Sequence, residues 1–261
     1  MTLFLHEIKR NKLSLIIWTA AISFMLGVCV IIYPEMASEM EELSDMFSNM
    51  GAFSNAFGMD QLQFGEFTGY FVIECGNTLG IGGALFAAIL GINALSKEER
   101  DHTADFLLSH PVSRARVITE KLISVIVQII AMNIVIALVC AGTMLIIDVE
   151  VKWSTIALLL LSYLILQIEI AAITFCISAF LKKGGLGLGI GVSLGFYFVN
   201  IIANISEDVE FLKYLTPFAY VDGSHIINEG NIELKHLVIG AVVSIVALVI
   251  AYKRYTSKDI S

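Results

Sequence analysis

STIALLLLSYLILQIEIAAITFCISAFL, residues 154–181, decides the architecture: Glu169 is its only charged residue. A helix needs about 20 mostly apolar residues to cross a bilayer core, and lipid offers no partner to unpaired backbone groups, so this run reads as a spanning helix. Five more runs read the same way, at about 13–33, 69–95, 117–147, 184–205 and 236–252. A barrel would need short strands of alternating polarity, and the sequence has none. The expected fold is all-α: a polytopic membrane protein with six transmembrane helices in one domain spanning residues 1–261.

Composition agrees. Hydrophobic residues make up 57% of the chain and charged residues 15%, with mean hydropathy +0.82. Soluble domains carry about 45–50% apolar and about 25% charged residues. The net charge of −8 says little, because the side of the membrane on which each charge lies is what matters. There are 16 Lys and Arg. With the amino terminus in the cytoplasm, all but Lys152, Lys213 and Lys235 fall on the inner side, and the reverse topology would invert that bias. The expectation is a multi-pass protein of the cell (plasma) membrane, both termini cytoplasmic, with outer loops at 34–68 and 206–235. The first outer loop carries acids and no base. The first apolar run follows a basic start but lacks a small-residue cleavage pattern, so it is read as a retained helix.

The four cysteines, Cys29, Cys75, Cys140 and Cys176, each fall inside an apolar run and read as small buried hydrophobes. His225 and His236 are too isolated to suggest a metal site. The fifth run carries Gly187, Gly191 and Gly195 at steps of four, with Gly185 and Gly189 one ridge over. Such spacing lets two helix backbones approach closely, against a neighbour in the same chain or as the face of a dimer. No GxxxxGK[ST] loop is present, so the chain is not expected to hydrolyse ATP by itself.

The charged interruption lies between the second and third runs, at 96–116: SKEERDHTADFLLSHPVSRAR. Ser96 followed by Glu99 has the form of a capping box, and Glu98, Glu99 and Asp101 would then occupy the acid-favouring first turn of a helix. Phe106, Leu107 and Leu108 make its far end apolar, and Pro111 ends it. Interfacial helices that rest on lipid are usually basic on their polar face. This one begins acidic, which fits a socket on a partner protein better.

In Glu98-Glu99-Arg100, Phe106-Leu107-Leu108-Ser109, Pro111-Val112-Ser113-Arg114 and Lys121, the stretch resembles the signature of bacterial type-2 ATP-binding-cassette (ABC) exporter permeases. Leu212 to Asp222 resembles that family's outer segment before the last span, and Arg254 to Ile260 its usual ending. The one departure is His102, where the family commonly has a small residue. The resemblance implies a division of labour. Two permease chains pair, as homodimer or heterodimer, and two copies of a separate ATP-binding subunit dock beneath. The loop between spans two and three is then a cytoplasmic coupling helix, its ATPase-coupling residues being Glu98, Glu99, Arg100, Phe106, Leu107, Leu108, Pro111 and Arg114. This chain would bind no cofactor, with ATP and Mg held by the partner ATPase. Its other partner would be membrane lipid, with no role for nucleic acid.

Ionisable and amide groups at bilayer depth are costly and are functional by default. Glu74 and Asn77 in the second run, Gln128 and Asn133 in the third, and Gln167 and Glu169 in the fourth are the candidates for the pathway or an interface. Hydrogen-bonding glue between helices, a polar pathway lining, and a proton-coupled site all fit these residues.

Outside the bilayer, Met36, Met40, Leu43, Phe47 and Met50 form one apolar stripe of a helix, read as a lid or rim element. Phe211, Tyr214, Phe218 and Tyr220 suit the interfacial aromatic belt, and Pro217 limits any helix there. Two rival functions are weaker. An intramembrane protease would need EExxxR, and here Thr103 stands at the arginine position; HExxH and GxSxG are also missing. An ATP-independent carrier or channel is disfavoured because the halves show no repeat and the spans are largely unbroken.

Overall fold

A computed structural model describes residues 2–48, 66–100, 113–182, 184–205 and 207–257. Among them there is no strand. Six helices are long and apolar enough to cross a membrane: Leu3–Ala37, Phe67–Lys97, Arg114–Ile147, Trp153–Ser178, Leu186–Ile205 and Leu234–Ser257. They alternate in direction, and contacts of Phe4 with Glu120, Ala94 with Lys121 and Arg114 with Thr256 bring the start of the first, the end of the second, the start of the third and the end of the sixth to one end of the bundle.

Helix α1, Thr2–Ser48, is longer at both ends than the expected 13–33. At 1.5 Å per residue it is about 70 Å long, more than twice the bilayer core. It runs through Pro34 without ending, so part of the expected outer loop at 34–68 is helical. Proline removes one backbone bond, but in a membrane helix neighbouring groups absorb the loss. Tyr70 Oη donates to the Cys29 carbonyl at 3.1 Å, one turn before Pro34.

The second span is built from α2, Phe67–Cys75, a π turn at Gly76–Gly80, and α3, Ile81–Arg100. Its sequence fits the π turn: of its five residues, Gly76, Asn77, Thr78 and Gly80 are weak helix formers. The third span is α4, Arg114–Ile147, capped by the Ser113 side chain, which accepts from Arg116 N at 3.3 Å. The fourth is α5, Trp153–Ser178, and the fifth is α6, Leu186–Ile205. Two 3₁₀ segments, Glu207–Leu215 and Pro217–Val221, and the short α7, Gly223–Glu229, lead to the last span, α8, Leu234–Ser257.

One expectation is corrected at the end of α3. Ser96 does not open a new helix. It lies inside α3, fully buried, with its hydroxyl donating to the Ile92 carbonyl at 2.7 Å. Lys97 to Arg100 are good helix formers, and a serine hydroxyl can satisfy itself on the carbonyl one turn back, so nothing stops the helix after Leu95. Glu98 and Glu99 therefore sit in its last turns, not in a first turn.

The core lies where α3 meets α5 and α4 meets α1, filled by Phe71, Phe86, Phe175, Leu26, Ile129 and Met132, all fully buried. Outward faces of α1, α4 and α8 show exposed Ile, Leu and Val. Apolar exposure on this scale belongs against lipid or another subunit rather than water.

Candidate functional site

The sequence places its coupling candidates at the end that carries the termini. Glu98, Glu99 and Arg100 end α3, and Arg114 begins α4. Phe106, Leu107, Leu108 and Pro111 lie outside the described residues. Arg114 Nη1 donates to the Thr256 carbonyl at 3.4 Å, which ties the start of α4 to the end of α8. Arg116 Nε donates to Glu120 Oε1 at 2.9 Å, and Phe4 N donates to Glu120 Oε2 at 3.1 Å, which brings in the start of α1.

One turn deeper is a contact that pattern reading missed. Lys121 Nζ donates to Glu7 Oε1 at 3.1 Å and to the Ala94 carbonyl at 2.8 Å, with both charged side chains buried. In the sequence Lys121 reads as an inner base and as the last member of the signature stretch, with nothing to point it at Glu7 near the amino terminus. The available signal was position: Lys121 follows Val117 and Ile118 on the face of α4 that the core buries.

Near mid-membrane, Asn133 Nδ2 donates to Gln167 Oε1 at 2.6 Å, joining α4 to α5. It also donates to the Ile129 carbonyl at 2.9 Å. Gln167 is fully buried and rests on Gly83 of α3, where a Cβ would overlap the amide. Further along, Gly91 leaves room for Thr174 and lies against the α5 backbone: a Cβ there would sit 2.6 Å from the Ala171 carbonyl oxygen. Small residues at these two points let α3 and α5 pack at backbone distance.

The other membrane candidates are not part of this cluster. Gln128 Nε2 turns back to the carbonyl and hydroxyl of Ser124 on its own helix, both at 3.0 Å. Glu74 accepts from Cys29 Sγ at 3.3 Å across α2 and α1, so this cysteine does more than fill space. Asn77 is exposed on the π turn. Glu169, 6% exposed, faces a cavity of about 130 Å³ between α5, α6 and α8, roofed by Tyr214, Thr216 and Pro217.

That roof is part of the expected outer loop at 206–235, and it enters the bundle. Pro217, Phe218 and Ala219 are buried, and Phe218 packs edge-on to Tyr197 with ring centroids 5.5 Å apart. Thr216 Oγ1 donates to the Phe196 carbonyl at 2.8 Å. Phe211 and Tyr214 stay exposed, as an interfacial belt requires. His236 Nδ1 lies 2.6 Å from Glu233 Oε2, and its ring packs on Tyr214 at 5.4 Å.

The glycine row of α6 divides by ridge. Within the chain it is Gly185 and Gly189 that approach α3, both against Ile92. At Gly187, Gly191 and Gly195 an added Cβ meets no described atom within 4 Å, so these three do not pack α6 against the described residues.

Comparison with known proteins adds one match that spans almost all of the sequence. The model of a family described as "ABC-2 family transporter protein" matches residues 1–260. No curated protein matches the chain.

Proposed function

Given that the chain belongs to the ABC-2 transporter family, we propose that it is the pathway-forming permease of an exporter, driven by a separate ATP-binding subunit docked on residues 96–116. The family consists of membrane transport components and not of catalysts, so this chain supplies the conduit and the partner supplies hydrolysis. In this reading both termini and the docking segment are cytoplasmic, in the plasma membrane. Two ATP-binding subunits, with their ATP and Mg, serve a pair of permease chains.

The observation that carries the reading is how the helices flanking 101–112 are fastened. The Lys121 bond to the Ala94 carbonyl ties α4 to α3, and Glu7 adds α1. The close seat of Gly91 on Ala171 then ties α3 to α5. Packed interiors are stiff. A displacement applied between α3 and α4 is therefore passed to four spans as a unit and not lost in one connection. Export over import rests on the family resemblance of the signature stretch.

The test is charge reversal at Glu98 and Glu99, with the chain co-expressed with its ATP-binding subunit and reconstituted. Co-purification of the subunit and substrate-stimulated hydrolysis should both drop sharply. Normal binding and normal transport in E98K/E99K would defeat the assignment. So would unaided transport by the chain alone in nucleotide-free liposomes, which would favour an ATP-independent carrier.

A further inference from the structure

We propose that His236 is a proton-operated latch: on taking up a proton from the aqueous phase, its ring clamps the roof segment Glu207–Val221 onto the start of α8 and closes the cavity beside Glu169. The site lies where α8 begins, at the end of the bundle opposite the termini. His236 is 7% exposed, yet its ring borders two cavities. One, of about 90 Å³, has the well-exposed Glu210 and Lys235 at its rim. The other, of about 130 Å³, is the one that Glu169 faces; it reaches Ile173 and Val243 and so lies deeper. Each has room for a few water molecules. The imidazole is thus hidden from bulk solvent but open to proton exchange, and it stands between the rim and the deeper cavity.

Two contacts set the sign. His236 Nδ1 lies 2.6 Å from Glu233 Oε2, but neither ring nitrogen has an aligned hydrogen-bond partner among the described residues. A neutral ring gains little from a misaligned contact, whereas a charged one gains from proximity alone. The ring also packs on Tyr214, with centroids 5.4 Å apart, and Tyr214 belongs to the 3₁₀ segment Glu207–Leu215 of the roof. A cation within about 6 Å of an aromatic centroid is attracted to the ring. Lys235 already uses both partners, with Nζ 3.3 Å from Glu233 Oε1 and 5.9 Å from the Tyr214 centroid. Protonated His236 adds a second cation to the same acid and the same ring, so the proton strengthens the hold of α8 on the roof.

The surrounding charges permit this. Lys213 lines both cavities and lies 3.4 Å from Glu210 on its own segment. Asp222 and His225 face the outer cavity from the start of α7, and Asp222 Oδ1 accepts from Ser224 N at 3.0 Å and His225 N at 3.4 Å. From α5, Glu169 faces the deeper cavity. Around the outer cavity the acids Glu210, Asp222 and Glu233 outnumber the bases Lys213 and Lys235 among the described residues, so a proton on His236 leaves no positive surplus there.

The test needs neither substrate nor an ATP-binding subunit. In the full chain reconstituted in lipid nanodiscs, amide hydrogen exchange of residues 207–221 reports opening of the roof. Rates are divided by the intrinsic rate at each pH and compared at about pH 5.5 and about pH 8, on either side of the ordinary histidine range. Protection should be about fivefold or more greater on the acid side, the worth of one cation–π contact. H236Q, which stays neutral, should be equally protected at both. Tyr214→Leu should lose most of the gain while the His236 Cε1 resonance of histidine-labelled protein still titrates. If H236Q fails to fold, Glu233→Gln takes its place and should cut the gain by at least half. Equal protection of the parent at the two pH values overturns the proposal. So does a His236 resonance that does not move between them, or a full acid gain in any of the three variants.

Discussion

Lys121 and Glu7 form an ion pair inside the bundle, Nζ to Oε1 at 3.1 Å, with side chains 2% and 7% exposed. The Ala94 carbonyl accepts a second bond from the same ammonium. A buried pair adds little net stability over an apolar replacement, but removing one partner strands the other charge. Lys121→Met or Glu7→Leu alone should therefore cost about 3–5 kcal/mol. The double variant K121M/E7L should recover most of that loss. Thermal unfolding in detergent across the four proteins gives the coupling directly. Purely additive losses would show that the two groups do not act as a pair.

Gly91 and Gly83 should rank in a definite order. A Cβ at Gly91 meets the backbone of α5, 2.6 Å from Ala171 O and 3.0 Å from Phe175 N, and backbone cannot step aside. At Gly83 the obstacle is the Gln167 side chain, which has a rotamer to surrender. Overpacking a tight contact costs about 1–3 kcal/mol. Gly91→Ala should fall at or above the upper end and Gly83→Ala near the lower. Gly142→Ala, where the added carbon meets no described atom within 4 Å, is the control and should change stability little. Equal losses at 91 and 83 would mean that α3 and α5 are held by something other than this backbone approach.

The six spans were legible because a bilayer imposes one rule on every segment, and runs such as 154–181 obey it without help from the rest of the chain. The ends of elements were not. Ser96 looks like a cap, yet the choice between capping and donating to Ile92 depends on whether the helix goes on, which local sequence leaves open. Pro34 looks like a stop, yet α1 continues through it. Among the polar candidates, residue type singled out Asn133 and Gln167 but not their pairing, which depends on how α4 turns against α5. Lys121 with Glu7 was the hardest case. The partners are 114 positions apart, and each alone passes for an ordinary charge near an interface.

The outward glycines of α6 bear on assembly. Gly187, Gly191 and Gly195 lie at the spacing of a helix–helix seam, yet within the chain nothing described occupies the space beside them. α6 is also sparsely buried, with only Gly189, Ser193 and Ala203 fully covered. If this ridge is where a second permease chain packs, Gly191→Leu should leave the isolated chain's unfolding free energy within about 0.5 kcal/mol of parent, as for a surface substitution. It should also reduce dimer cross-linking in membranes several-fold. Cross-linking at the parent level would move the dimer contact to another face.

Asn133 and Gln167 decide whether the mid-membrane polar groups are glue or pathway. Asn133 Nδ2 is shared between Gln167 Oε1 at 2.6 Å and its own helix's Ile129 carbonyl, while Gln167 is fully buried against Gly83. Gln167 Nε2 and Asn133 Oδ1 find no partner among the described residues. Interhelical bonds of this kind contribute about 0.6 kcal/mol on average in membrane proteins and about 1.7 at most. If the bond is glue, Asn133→Leu should cost roughly that amount plus the price of the orphaned Gln167 oxygen, about 1–3 kcal/mol. N133L/Q167L should then lie close to parent, because both polar groups leave together. Transport in the double variant should survive wherever assembly does. Stable, assembled N133L/Q167L that no longer transports would instead place these amides on the route of the substrate. Because Gln167 is already enclosed in this conformation, that outcome would require α3 and α5 to part at Gly83 during the cycle, a separation that a cross-link between residues 83 and 167 would block.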